Sequence, residues 1–101
     1  GGAAAALRNL LEREPDNVAA LNILGAVMLS EHRYADALAA YERAASIVPR
    51  DASLHYRVAI ALHAMGRNRE ALKECAAVLA AVPNNPGAMA LRAEIERSGT
   101  K

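Results

Sequence analysis

The chain has 101 residues, enough for one domain. Its hydrophobic fraction is 53% but its aromatic fraction is 3%, with no Phe or Trp, so any core must be built mainly from small aliphatic side chains that each bury little area. A net charge of +1 with 23% charged residues excludes a polybasic nucleic-acid surface and an acidic tail. The single cysteine rules out an intrachain disulfide, which fits a reducing compartment and favours the cytoplasm. The longest apolar run, Cys75 to Val82, falls far short of the roughly 18 residues of a membrane span, so no membrane insertion is expected. Gly1-Gly2 lacks the basic and apolar regions of a signal peptide. No initiator Met is present, so the sequence is expected to be a piece of a longer chain. Arginine outnumbers lysine ten to two and alanine is abundant, a composition associated with GC-rich bacterial genes.

Taken in order, Ala3 to Glu14 is a predicted helix, with Leu7, Leu10 and Leu11 at i, i+3, i+4. Pro15 stops it and Asn17 is a good N-cap for the next helix, Val18 to about Glu31. That second helix is apolar nearly all round (Val18, Leu21, Ile23, Leu24, Val27, Met28, Leu29), which predicts burial on more than one side. His32-Arg33 makes a turn. A third helix runs from about Tyr34 to Val48, with Leu38, Tyr41, Ala45 and Val48 on one stripe, and Pro49 ends it. Asp51 caps a fourth helix, Ala52 to Met65, and Gly66 supplies a left-handed end. Arg69 to Val82 is the fifth, striped by Leu72, Cys75, Val78, Leu79 and Val82. Pro86 opens a sixth that runs to about Arg97. No segment alternates with period two, so the expected class is all-α with no strands.

Pro15, Pro49 and Pro83 are evenly spaced along the chain. Val18–Asp51 and Ala52–Asn85 are units of equal length that share apolar, small and breaker positions rather than identities. Two antiparallel helices cannot bury both apolar faces alone, and stacking such units does. The first unit reads Leu21-x2-Leu24-Gly25-x2-Met28, Ala37-x3-Tyr41, Pro49. The second reads His55-x2-Val58-Ala59-x2-Leu62, Ala71-x3-Cys75, Pro83, and a leading half unit has Ala3-x3-Leu7, Pro15.

These spacings resemble the tetratricopeptide repeat family, whose 34-residue unit reads W-x2-L-G-x2-Y, A-x3-F, P. The interval between the prolines equals the length of that unit. The resemblance covers essentially the whole chain and departs from the pattern in lacking aromatics at Leu21, His55, Met28 and Leu62. It implies a right-handed superhelix of antiparallel helix pairs. Residues 3–14 would be the second helix of a truncated repeat, 18–51 and 52–85 full repeats, and 86–98 a C-terminal capping helix whose Arg92 and Glu96 give it a charged outer face. Small residues at Gly25, Ala59, Ala37 and Ala71 would let paired helices approach, with Tyr41 and Cys75 filling the space beside them.

The resemblance also implies the function. Members of the family bind protein or peptide segments in a concave groove lined by the first helix of each unit. The matching positions here are Asn22, Ala26, Leu29 and Ser30, then Ser53, Tyr56, Arg57, Ile60 and His63, then Ala90, Leu91 and Glu94. Arg57 offers a planar donor fork for a carboxylate, Tyr56 a rigid platform, and Asn22 a donor–acceptor pair for a backbone. Of the two Lys, two Asn and one Arg with which some members hold a chaperone C-terminus, only Arg57 is clearly present, with Asn22 and Ser53 at the Lys positions.

Other chemistry is thin. His55 and His63 lie eight apart on one helix without the spacing of a zinc pair, so no metal and no cofactor is expected. Cys75 falls at a core position and reads as an inert thiol. No nucleophile, paired carboxylate or phosphate loop points to an enzyme. Glu42/Arg43 and Glu70/Lys73/Glu74 read as solvated faces. A regulatory or targeting arm of a larger enzyme is the alternative, as is a homodimer through Leu7, Leu10 and Leu11.

Overall fold

The computed structural model describes residues 2–99. Six helices and no strand occur among them: α1 (Gly2–Arg13), α2 (Val18–Ser30), α3 (Tyr34–Ile47), α4 (Ala52–Ala64), α5 (Asn68–Ala81) and α6 (Pro86–Gly99). Each boundary lies within two residues of the sequence expectation, the margin within which helix ends fray. The chain forms two compact units, Gly1–Arg50 and Asp51–Lys101. The first holds α1 to α3 and the second α4 to α6.

Each unit is centred on a helical hairpin with a three-residue connection, α2–α3 in the first and α4–α5 in the second. Both hairpin turns close the same way. After α2, the His32 amide donates to the Leu29 carbonyl at 3.0 Å and the Arg33 amide to that of Met28 at 2.8 Å. After α4, Gly66 donates to His63 and Arg67 to Leu62, each at 2.9 Å. This double bond satisfies orphan carbonyls and requires a left-handed residue at its centre. His32 supplies it at φ 62° and Gly66 at φ 77°.

The helix starts repeat as well. Asn17 Oδ1 accepts from the Ala20 amide, Asp51 Oδ1 from those of Ser53 and Leu54, and Asn85 Oδ1 from that of Ala88. The three caps keep the interval of the prolines, each following one of them by two positions. Sequence reasoning identified the first two and left Asn85 in the preceding loop.

In the first unit the core is Ala20, Leu21, Gly25 and Met28 of α2 against Ala37, Leu38, Ala40, Tyr41 and Ala44 of α3. Tyr41 is 0% exposed, and a Cβ added to Gly25 would lie 2.5 Å from its ring, so the glycine is what admits the aromatic. Ala4 of α1 is buried, whereas Leu7, Leu10 and Leu11 are half-buried, and Arg8 donates to the Met28 sulfur at 3.6 Å. In the second unit Leu54, Val58, Ala59, Ala61 and Leu62 of α4 are buried with Ala71, Cys75 and Val78 of α5 and Ala88 and Ile95 of α6.

Two core expectations are corrected. Ile23 is 53% exposed, because it lies on the side of α2 turned away from α3. Val82 is 43% exposed, because α5 ends at Ala81 and Val82 is its C-cap, off the buried stripe.

Candidate functional site

The expected lining residues divide between the units. In the first, Asn22 and Leu29 are half-buried on α2, and Ala26 and Ser30 are exposed. Asn22 Oδ1 is itself buried and has no hydrogen-bond partner, while the Ser30 hydroxyl donates back to the Val27 carbonyl at 2.8 Å. Ile23, missing from the expected lining, stands exposed one residue on from Asn22. The signal was present: Ile23 holds the same place in its repeat that Arg57 holds in the next.

The second unit brings most of the set together. Tyr56, Arg57, Ile60 and His63 of α4 are all half-buried, and they fall on one face at helical spacing. Helix α6 lies alongside. A Cβ on Gly87 would be 2.8 Å from the Tyr56 ring, so the ring rests on the bare backbone there. Two turns further along both helices, His63 Nε2 donates to Glu94 Oε2 at 2.9 Å. Each of these contacts joins residues 31 apart, so α4 and α6 run in the same direction in a fixed register. That register sets half-buried Leu91 level with Ile60. The result is a strip with an aromatic end at Tyr56, an aliphatic middle and a polar end at His63 and Glu94.

Arg57 carries the strip's distinctive charge. Its Nε is buried and without a hydrogen-bond partner, although burial of an N–H ordinarily comes with an acceptor. Leaving such a donor unmet costs about 1–3 kcal/mol, a penalty that a bound acceptor would remove. Glu94 does not stand free as an acceptor in the same strip, being engaged by His63. The other His63 nitrogen, Nδ1, lies 2.8 Å from Asn68 Oδ1 at the start of α5, which fixes the ring's orientation. Asn68 went unnoticed in the sequence because nothing local marks it as a partner.

Ser53 is exposed and belongs to the cap rather than to the strip. Its hydroxyl donates to Asp51 Oδ1 at 2.7 Å. That hydroxyl, aided by the Leu54 and Ser53 amides, holds the Asp51 carboxyl below its ordinary value.

Several side chains read as solvated turn out to be engaged. Glu74 meets His55 Nδ1 at 2.8 Å across the α4–α5 hairpin. Arg43 reaches the Pro15 carbonyl at 3.0 Å and Asp16 Oδ1 at 2.8 Å, tying α3 to the α1–α2 turn. Arg67 forms a fork onto both Glu70 oxygens at 2.8 and 2.7 Å. Cys75 is fully buried, and burial pushes its thiol up despite the nearby Arg92 cation, so thiolate chemistry is suppressed. Among the described residues no three His, Cys, Asp or Glu side chains converge as a metal group would require, and no helix is long and apolar enough to cross a membrane.

Antiparallel helix pairs with a fixed period, repeated caps and repeated turns define an α-helical repeat protein. The chain belongs to the tetratricopeptide repeat family: family models of that description match residues 1–52 and residues 28–95. Two solved structures of MamA, one of them a point mutant, superpose with a TM-score of 0.84 at 26% identity, over 95% of this chain and 53% of theirs. A TPR repeat-containing thioredoxin, TTL4 of Arabidopsis thaliana, is 47% identical over 51 residues, which is 50% of this chain. The chain thus matches about half the length of MamA, and its aligned part spans 8% of the thioredoxin. Repeats of this kind make the chain a protein–protein interaction scaffold.

Proposed function

We propose that the strip on the second unit binds a peptide segment of a partner protein, one that carries an acidic group flanked by apolar side chains. Arg57 supports this reading most directly: a half-buried cation with an unmet buried donor lies on α4 next to the apolar strip of Tyr56 and Ile60. A carboxylate can take two N–H bonds from a guanidinium, and the neighbouring apolar surface supplies area without charge. On the first unit, the exposed Ile23 beside half-buried Asn22 and Leu29 offers a more apolar face suited to aliphatic side chains.

The test is selection of a displayed random-peptide library, followed by calorimetry with a synthesised enriched peptide. Enriched sequences are expected to share one Asp or Glu with apolar neighbours. Replacing Arg57 and Tyr56 together with alanine should weaken binding at least tenfold, about 1.4 kcal/mol, with helix content retained. Equal affinity in the double variant would overturn the assignment. A second reading, an arm of a larger enzyme, draws on the match of half the chain to a small part of a thioredoxin that contains such repeats. A catalytic domain in the same reading frame of the parent gene would support it, and a parent made of repeats alone would exclude it.

A further inference from the structure

Two half-buried side chains of α4 carry hydrogen-bond donors, and they are not in the same condition. Arg57 has an unmet Nε. His63, six residues on, lies about 9 Å further along the helix axis and about a third of a turn round it, and has its Nε2 occupied by Glu94. The His63 side chain is 26% exposed and is held from below by Asn68, whereas the Glu94 side chain is 56% exposed. Glu94 is therefore the more exposed partner, and its carboxylate occupies the N–H that a partner's carboxylate would need. Exchanging one for the other would disturb no buried side chain.

We propose that Glu94 is an internal competitor that limits the strip to partners with a single acidic group. The inference rests on the reading of the strip given above. A segment whose first acid meets Arg57 would bring a second acid to His63 if the two spanned at least the axial rise of about 9 Å. That is at least about three residues in an extended segment and six in a helical one. In the wild-type protein this second acid meets Glu94 twice over, as a rival for the same N–H and as a like charge. Specificity of this kind, built from a repulsive group rather than an added attraction, discriminates among partners that the attractive contacts alone would accept. Both rivals are carboxylates, which accept, so the same His63 Nε2–H would serve Glu94 or its replacement.

The experiment repeats the peptide selection with Glu94→Ala. A second Asp or Glu should become enriched at a fixed spacing from the first, and a synthesised two-acid peptide should bind the variant at least fivefold more tightly than wild type. Adding His63→Leu to Glu94→Ala should abolish that second preference. Glu94→Gln, which keeps the side chain's size but not its charge, serves if the alanine variant melts early. A helix-clasp role alone would alter melting and leave the selected sequences unchanged. One-acid peptides from both wild type and Glu94→Ala would overturn this inference while leaving the proposed strip intact. Failure of wild type to enrich any acidic peptide would overturn both.

Discussion

In the first unit, Gly25 of α2 accepts the Tyr41 ring against bare backbone. In the second, the equivalent repeat positions hold Ala59 and Cys75, both 0% exposed. One hairpin pairs the smallest residue with a large ring, and the other a methyl with a thiol. The Gly–Tyr pair is the bulkier of the two, and each pair is buried in its own hairpin. The turns differ in the opposite sense: the first unit places His32 at positive φ where the second uses Gly66. The first unit therefore places its glycine in the core and a non-glycine residue at the left-handed turn, and the second places its glycine in the turn. Tyr41 adds a further cost, because its hydroxyl is buried without a partner.

Exchanging the core pairs is the sharpest way to break this comparison. Gly25→Ala should destabilise by about 3 kcal/mol in urea unfolding, since the new Cβ drives the Tyr41 ring out of place. Adding Tyr41→Cys, which recreates the pair of the second unit, should give a combined loss smaller than the sum of the two single losses, because the new Cβ no longer meets a ring. Additive losses in the double variant would show that the two residues do not share one space. The turns come next. His32→Gly should stabilise by about 1 kcal/mol and Gly66→Ala should destabilise by a similar amount, both read from thermal melting. Equal responses at the two sites would contradict the strain assigned to His32.

The caps give the smallest contrast and the only one that depends on pH. Replacing Asn17 or Asp51 with alanine should cost about 1 kcal/mol each. Hydrogen bonds from Ser53 and Leu54 depress the Asp51 carboxyl in the folded state. Its contribution is therefore complete above the unfolded value of about 3.9 and is lost as pH falls through the folded one. Asn17 has no proton to gain. Asp51→Asn should flatten the acid limb of a melting-temperature profile, whereas Asn17→Ala should shift the whole profile without changing its slope.

Much of this architecture could be read from residues whose effect is local. Evenly spaced prolines, Asn17 and Asp51 as caps, and His32 in place of a turn glycine act within a few positions of themselves. They gave every helix to within two residues. The strip was legible only as a set of positions. His63–Glu94 and Tyr56–Gly87 depend on how α6 is laid beside α4, and no local pattern encodes that register. The same reason hid the His55–Glu74 and Arg43–Asp16 contacts. Ile23 was misplaced for a different cause: in a helix apolar on nearly every side, hydrophobicity does not tell which side is left uncovered.

The register between α4 and α6 reaches beyond the pair of helices that displays it. Equivalent positions recur at the repeat length, but side chains that touch here are 31 apart. Against a repeat of about 34 residues, the shortfall of three is an axial slip of about 4.5 Å. A chain lying across these two helices would therefore meet them obliquely, like a rope over staggered rungs. Residues that share a repeat position would not grip the same residue of the visitor. Energetic coupling in a pairwise mutant scan of this unit should peak between residues offset as His63 and Glu94 are, and an engineer grafting a binding sequence onto the scaffold would do better to copy diagonals than rows.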